Sequence, residues 1–145
     1  MSAGTTASAE DLARAHCYAL IGRLMYAPPD APLVAYILQQ PSVDDAVPLA
    51  QAWTALQAAC REAELEQVRL EYDDLFIGVG KAPVTLYTGA YAAPQSPDRH
   101  LLALRNKLDA LGLARPTQAG EMEDHVSALC DVMRWLIESN RGLEA

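Results

Sequence analysis

The run EMEDHVSALCDVMRWLIES, Glu121 to Ser139, decides the fold class. Val126, Leu129, Cys130, Met133, Trp135, Leu136 and Ile137 recur at the spacing of a helix with 3.6 residues per turn. Acids at Glu121, Glu123 and Asp124 open the run, where the helix dipole favours negative charge. A helix over 121–139 built this way is apolar on more than one face. It needs partners on both sides, drawn from the earlier helices or from another molecule.

The same period recurs upstream. Ser8-Ala9-Glu10-Asp11 reads as a cap with acids in the first turn, and Leu12 to Tyr26 is apolar or small almost all round. That helix is expected in the middle of a bundle, ended by Pro28-Pro29. A short second helix runs from Pro32 to about Gln39. Ser42 to Asp45 caps a third, reaching about Cys60 with Leu49, Trp53 and Leu56 on one face. Glu62 to Phe76 is a fourth, and Asp98 to about Leu111, stopped by Gly112, a fifth. Residues 78–97, with Gly78, Gly80, Pro83, Pro94 and Pro97, are expected to be irregular. Leu86, Tyr87 and Tyr91 anchor that long segment, which suits a functional loop. No stretch alternates with period 2. The expectation is an all-α helical bundle in one domain over 1–145, with 1–8 a flexible lead-in.

Composition bounds the function. The chain carries 19 acidic against 11 basic side chains, a net charge of −8, which disfavours nucleic acid and anionic membranes because both select a basic surface. No apolar run approaches the roughly 20 residues of a bilayer span, and Met1 to Glu10 lacks the basic and apolar regions of a secretory signal. Cys17, Cys60 and Cys130 are odd in number and lie in apolar surroundings. They read as buried, reduced thiols of a cytoplasmic protein.

Reactive constellations are sparse. Gly78-Val79-Gly80-Lys81 has the flavour of a phosphate loop, but it follows a helix, Ala82 replaces the metal-binding hydroxyl, and Pro83 has no amide to donate. A helix stop and turn is the simpler reading. Glu121 to His125 gathers three carboxylates and an imidazole without a second His or Cys one turn away, so no metal is expected there. His16 and His100 read as ordinary helix residues, and no nucleophile turn is present; no cofactor and no catalysis are expected. The aromatic residues Tyr72, Phe76, Tyr87 and Tyr91 and the acidic helix ends could bind an arginine-bearing peptide. They could equally be core tyrosines beside a solvated acidic face.

Two segments bear on that choice. Glu71-Tyr72-Asp73-Asp74-Leu75-Phe76-Ile77-Gly78, followed by Pro83 and by Leu86-Tyr87-Thr88-Gly89-Ala90-Tyr91, resembles the E-Y-x-x-L-F-x-G … P-Y-x-S-V-Y signature of the TorD/DmsD/NarJ chaperones. Glu121 to Val126 resembles that family's E-P-x-D-H-[IV] segment, with Met122 in place of Pro; Gly89 stands where Ser is usual. The resemblance implies a TorD-like helical bundle lacking the family's last helices. It further implies a cytoplasmic chaperone that binds the twin-arginine signal peptide and apo form of a molybdopterin oxidoreductase, aids cofactor insertion and delays Tat export. Tyr72 and Phe76 would line the peptide groove, Tyr87 and Tyr91 its loop wall, and Asp124 and His125 its polar centre near Glu121. Self-association, as a homodimer, would cover the over-apolar last helix. The rival readings are a small nucleotide-binding or hydrolysing module using 78–81 and a purely structural helical subunit.

Overall fold

The computed structural model describes residues 8–44 and 48–139. The lead-in to Ala7, Asp45 of the expected third cap and the tail from Asn140 lie outside these residues. The chain is all-α, and its contacts divide it into two compact units, one of 8–26 with 84–139, the other Ala27–Pro83.

In the first unit, α1 (Ala9–Tyr26) begins where the sequence places it. The Ser8 hydroxyl and amide meet the Asp11 carboxylate at 2.7 and 3.3 Å, and the Asp11 amide donates back to the Ser8 hydroxyl at 3.1 Å. This reciprocal cap satisfies amides that the first turn leaves open. It makes Ser8 the capping residue that its place before Glu10 and Asp11 suggested.

Helix α1 packs along α7 (Val126–Glu138). The buried residues are Ala15 and Gly22 on α1 and Ser127, Cys130 and Ile137 on α7, and small residues meet where Gly22 faces Ser127 and Cys130. A Cβ built on Gly22 would lie 3.2 Å from the Cys130 Cβ and 3.5 Å from the Ser127 carbonyl oxygen. Any side chain at this position would press on Cys130, and a large one would push α1 away from α7. Helix α1 is not wrapped on every side as the sequence suggested: His16, Cys17 and Ile21 are exposed. Cys17 lies about 200° around the helix from Ala15, so the expectation of three buried thiols fails there; Cys60 is half-buried and Cys130 buried.

The remaining elements of this unit are a single turn, α5 (Gly89–Ala92), and α6 (Pro97–Ala110), which pack together. Gly112 ends α6 with a positive φ of 73°. The Leu113 amide then reaches the Leu108 carbonyl at 2.9 Å, satisfying an acceptor the helix end would otherwise leave open.

The second unit holds α2 (Ala31–Gln39), α3 (Ala50–Glu62), α4 (Leu65–Tyr72) and a π-helical turn, Asp73–Ile77. The Asp30 carboxylate caps α2 by accepting from the Leu33 amide at 3.0 Å. Gln57, buried on α3, donates to the carbonyls of Ile37 and Gln40 at 3.1 and 3.0 Å, closing the far end of α2. Ile37 is fully buried beneath it. Helix α3 starts later than the sequence suggested because Pro48 sits in the turn before it, and a proline cannot occupy a helix interior. Its buried positions are Ala50 and Gln57; Leu49 is exposed. Within the last turn before Gly78 the Gly78 amide bonds five residues back to Asp73 at 2.7 Å, the extra residue that makes the turn π.

Replacing Gly22 by leucine forces α1 off α7. We expect a loss of about 1–3 kcal/mol from overpacking, read as a lower midpoint in urea unfolding with the helical circular dichroism of the folded state retained.

Candidate functional site

Glu121 to His125 is not the first turn of a helix. The segment is a turn and an extended stretch, and α7 begins at Val126. The reason is a competing partner. The Val126 amide donates to the Leu86 carbonyl at 2.9 Å and the Thr88 amide to the Asp124 carbonyl at 3.0 Å, pairing Tyr87 with His125 as an antiparallel bridge. His125 consequently takes the extended conformation (φ −65°, ψ 135°), and its own side chain caps α7. Its Nδ1 accepts from the Ser127 amide at 3.2 Å and stands 2.7 Å from the Ser127 hydroxyl. Two donors converging on Nδ1 place the ring proton on Nε2. Burial pushes the His125 pKa down, opposed by the nearby carboxylates of Glu121 and Asp124.

The bridge brings Tyr87 and His125 together edge to face, ring centroids 5.1 Å apart at 82°. Asp124, 5% exposed, accepts from the Gly89 amide at 3.1 Å. The 85–92 segment is tied down further by the Tyr91 hydroxyl, which donates to the Thr85 carbonyl at 2.9 Å, and by Thr88, whose hydroxyl stands 3.1 Å from the His100 Nε2 on α6. The part expected to be irregular is therefore held at both ends and contains α5. Tyr87 and Tyr91 keep their rings accessible, at 37% and 64%.

Other residues of 121–127 face another way. Glu121, Met122, Glu123 and Ser127 line a groove of about 550 Å³ in the first unit, with Tyr26, Leu108, Leu113, Val132 and Trp135 as apolar walls. Arg105 on α6 grips Glu123 through two bonds of 2.9 and 3.0 Å and holds that carboxyl below the usual carboxylate range. Glu121, half-buried, has no hydrogen bond or ion pair among the described residues. Of the residues expected to bind peptide, only Glu121 lines this groove; Tyr87, Asp124 and His125 belong to the adjoining bridge and Tyr91 to the loop it holds. Tyr72 and Phe76 lie in the second unit as an edge-to-face pair, centroids 4.8 Å apart, with Tyr72 buried.

Sequence reasoning missed His100, Arg105 and Ser127. The first two act across 12 and 18 residues of chain, a separation that no local pattern records. Gly78 to Lys81, by contrast, is followed by bends and no helix, so it has no helix N-terminus to offer a phosphate. No group of three or more His, Cys, Asp and Glu among the described residues is arranged to hold a metal ion.

One helical unit thus opens a groove lined by apolar side chains, carboxylates and the arginines Arg115 and Arg134. The chain belongs to the nitrate reductase delta subunit family, whose model matches residues 43–145 and so includes every residue of the bridge and all of the groove except Tyr26. This is a family of NarJ/TorD-type chaperones that serve redox-enzyme maturation. No curated protein and no solved structure matches the chain significantly. No helix of the described residues is long and apolar enough to cross a membrane.

The lowered His125 pKa has a consequence for stability. An unfolded imidazole takes up a proton near pH 6.5, whereas the folded one does so only at lower pH, so the unfolded state binds more protons in between. Stability is full above about pH 6.5 and falls as the pH drops through the folded value. The melting temperature should decline between pH 7 and 5, and His125→Gln should flatten that decline while starting from a lower value.

Proposed function

We propose that the chain is a cytoplasmic chaperone that binds the twin-arginine leader and apo form of a molybdoenzyme, using the groove of the first unit for the leader. The observation that carries this reading is Glu121: a carboxylate with no hydrogen bond or ion pair among the described residues, lining a groove of apolar walls that also holds Arg115, Glu123, Asp131 and Arg134, in a member of a maturation-chaperone family. A guanidinium can take both carboxylate oxygens at once, and the apolar walls suit the uncharged stretch that follows the arginines in such a leader. The net charge of −8 draws a cationic peptide in from a distance. Tyr87 and Tyr91 add exposed aromatic area on the held loop. Asp124 and His125, both buried, enter through the loop they secure.

The partner need not be a second copy of the chain. The exposed side chains of α7 are Asp131, Arg134 and Glu138, all charged, so a dimer would draw on exposed apolar residues elsewhere, such as Leu12 and Ile21 of α1 or Leu102 of α6. The family assignment supports binding without catalysis, since the folding client, not a small substrate, is what such a chaperone holds.

Calorimetric titration of a twin-arginine leader peptide tests the reading. Affinity should fall as salt rises, because exposed charge pairs are screened within about 8–10 Å. An Arg-Arg→Lys-Lys peptide should bind more weakly, since lysine keeps the charge but loses the planar fork. Glu121→Gln should lose about tenfold with an unchanged melting curve. Equal affinity for both peptides, or no effect at Glu121, would leave only nonspecific acidity.

A further inference from the structure

Within the bridge, one carboxylate turns into the protein and holds a backbone amide of the facing segment. Asp124 accepts the Gly89 amide through Oδ2, while its carbonyl accepts the Thr88 amide, so two successive amides of the 85–92 segment end on one residue. It is nearly inaccessible, and its charge is felt by the Arg105 guanidinium on α6 and by the His125 ring. Gly89 is buried as well, and there is no room over it: an added Cβ would lie 3.1 Å from the Asp124 Oδ2 and 3.2 Å from the Pro97 Cβ. A carboxylate this buried, with Oδ2 engaged by a backbone amide, is poorly placed to meet an incoming arginine. What it does control is the position of α5, and with it the two exposed rings that flank the contact, Tyr87 and Tyr91.

We propose that Asp124 is a positioning residue for leader binding: its carboxylate clasps the Gly89 amide, fixes the Tyr87 and Tyr91 rings for the peptide, and does not itself touch the peptide. The proposal rests on the leader-binding reading above and divides labour within it, with Glu121 as the contacting acid and Asp124 as the support. It separates two roles that proximity in sequence would merge, because Glu121 and Asp124 are three residues apart yet face the groove and the loop respectively.

Asparagine and alanine distinguish the roles. Asp124→Asn keeps an oxygen acceptor for the Gly89 amide and removes the charge; Asp124→Ala removes both. Amide hydrogen exchange on the free proteins reads the clasp without any peptide. The 85–92 amides should exchange faster in Asp124→Ala, with α7 still protected, and remain slow in Asp124→Asn. Fluorescence anisotropy of a labelled twin-arginine leader reads the consequence. Asp124→Asn should bind within about threefold of the parent with the same salt dependence, and Asp124→Ala should lose about tenfold or more. Should Asp124→Ala fail to fold, Gly89→Ala crowds the clasp without altering any charge and should reproduce both the faster exchange and the weaker binding. Affinity lost equally in Asp124→Asn and Asp124→Ala, or a flatter salt dependence in Asp124→Asn, would overturn the proposal by making the charge itself the contact. Unchanged exchange in Asp124→Ala would overturn it by removing the clasp. A parent protein that binds no leader, with the exchange pattern as expected, would instead strike the leader-binding reading and leave the clasp standing.

Discussion

Two backbone hydrogen bonds join 86–88 to 124–126, and much of the first unit follows from them. They hold His125 extended, so α7 cannot begin before Val126, and they free the His125 ring to act as the cap of the helix it delays. They set Asp124 beneath Gly89 and Tyr87 against His125. A backbone amide that has a partner across the chain has none to give to a helix, and buried amides must have one or the other. The segment therefore trades one turn of helix for a joint between two distant pieces of chain. That joint divides 121–127 into residues that hold the loop and residues that line the groove.

The second constraint is the close approach of α1 and α7. Small residues at a helix contact bring backbones together and leave larger side chains to reach past the contact line. Here Gly22 meets Ser127 and Cys130, while Trp135 and Val132 on α7 and Tyr26 at the end of α1 contribute to the groove wall. The groove is thus a consequence of which residues the helix pair cannot bury between its axes. Its chemistry is added by the turn that follows α6: Arg115, Glu121 and Glu123 all come from 113–123, a stretch whose ends are fixed by the Gly112 stop and by the bridge.

Charge is handled differently in the two units. Around α4, Arg69 sits between Glu66 and Asp73 at 2.6 and 2.9 Å, a surface arrangement in which each partner remains largely in water and contributes little to stability. In the first unit the Arg105–Glu123 pair is bidentate, with the Glu123 side chain only 12% exposed, and it links α6 to the turn beside the groove. Glu121, two residues away, is left without such a partner among the described residues. A paired and an unpaired carboxylate thus stand side by side in the groove lining.

Local pattern by itself determined the class of the fold and most helix positions: the Ser8 cap, the proline breaks around α2, the Gly112 stop and the apolar spacing of α7 act within a few residues and survive any tertiary setting. The motif residues Tyr72, Phe76, Tyr87, Tyr91, Glu121, Asp124 and His125 were also legible as a set, through their resemblance to a chaperone signature. Their individual duties were not. Whether Asp124 or Glu121 faces the groove depends on a bridge closed across 38 residues, and the help from His100 and Arg105 arrives over 12 and 18. Acidic residues at 121–124 carry the same helix-opening signal whether or not a distant carbonyl claims the Val126 amide. Only the tertiary structure could decide that competition, because one amide has one proton, and the partner that takes it determines where α7 begins and which carboxylate is left free.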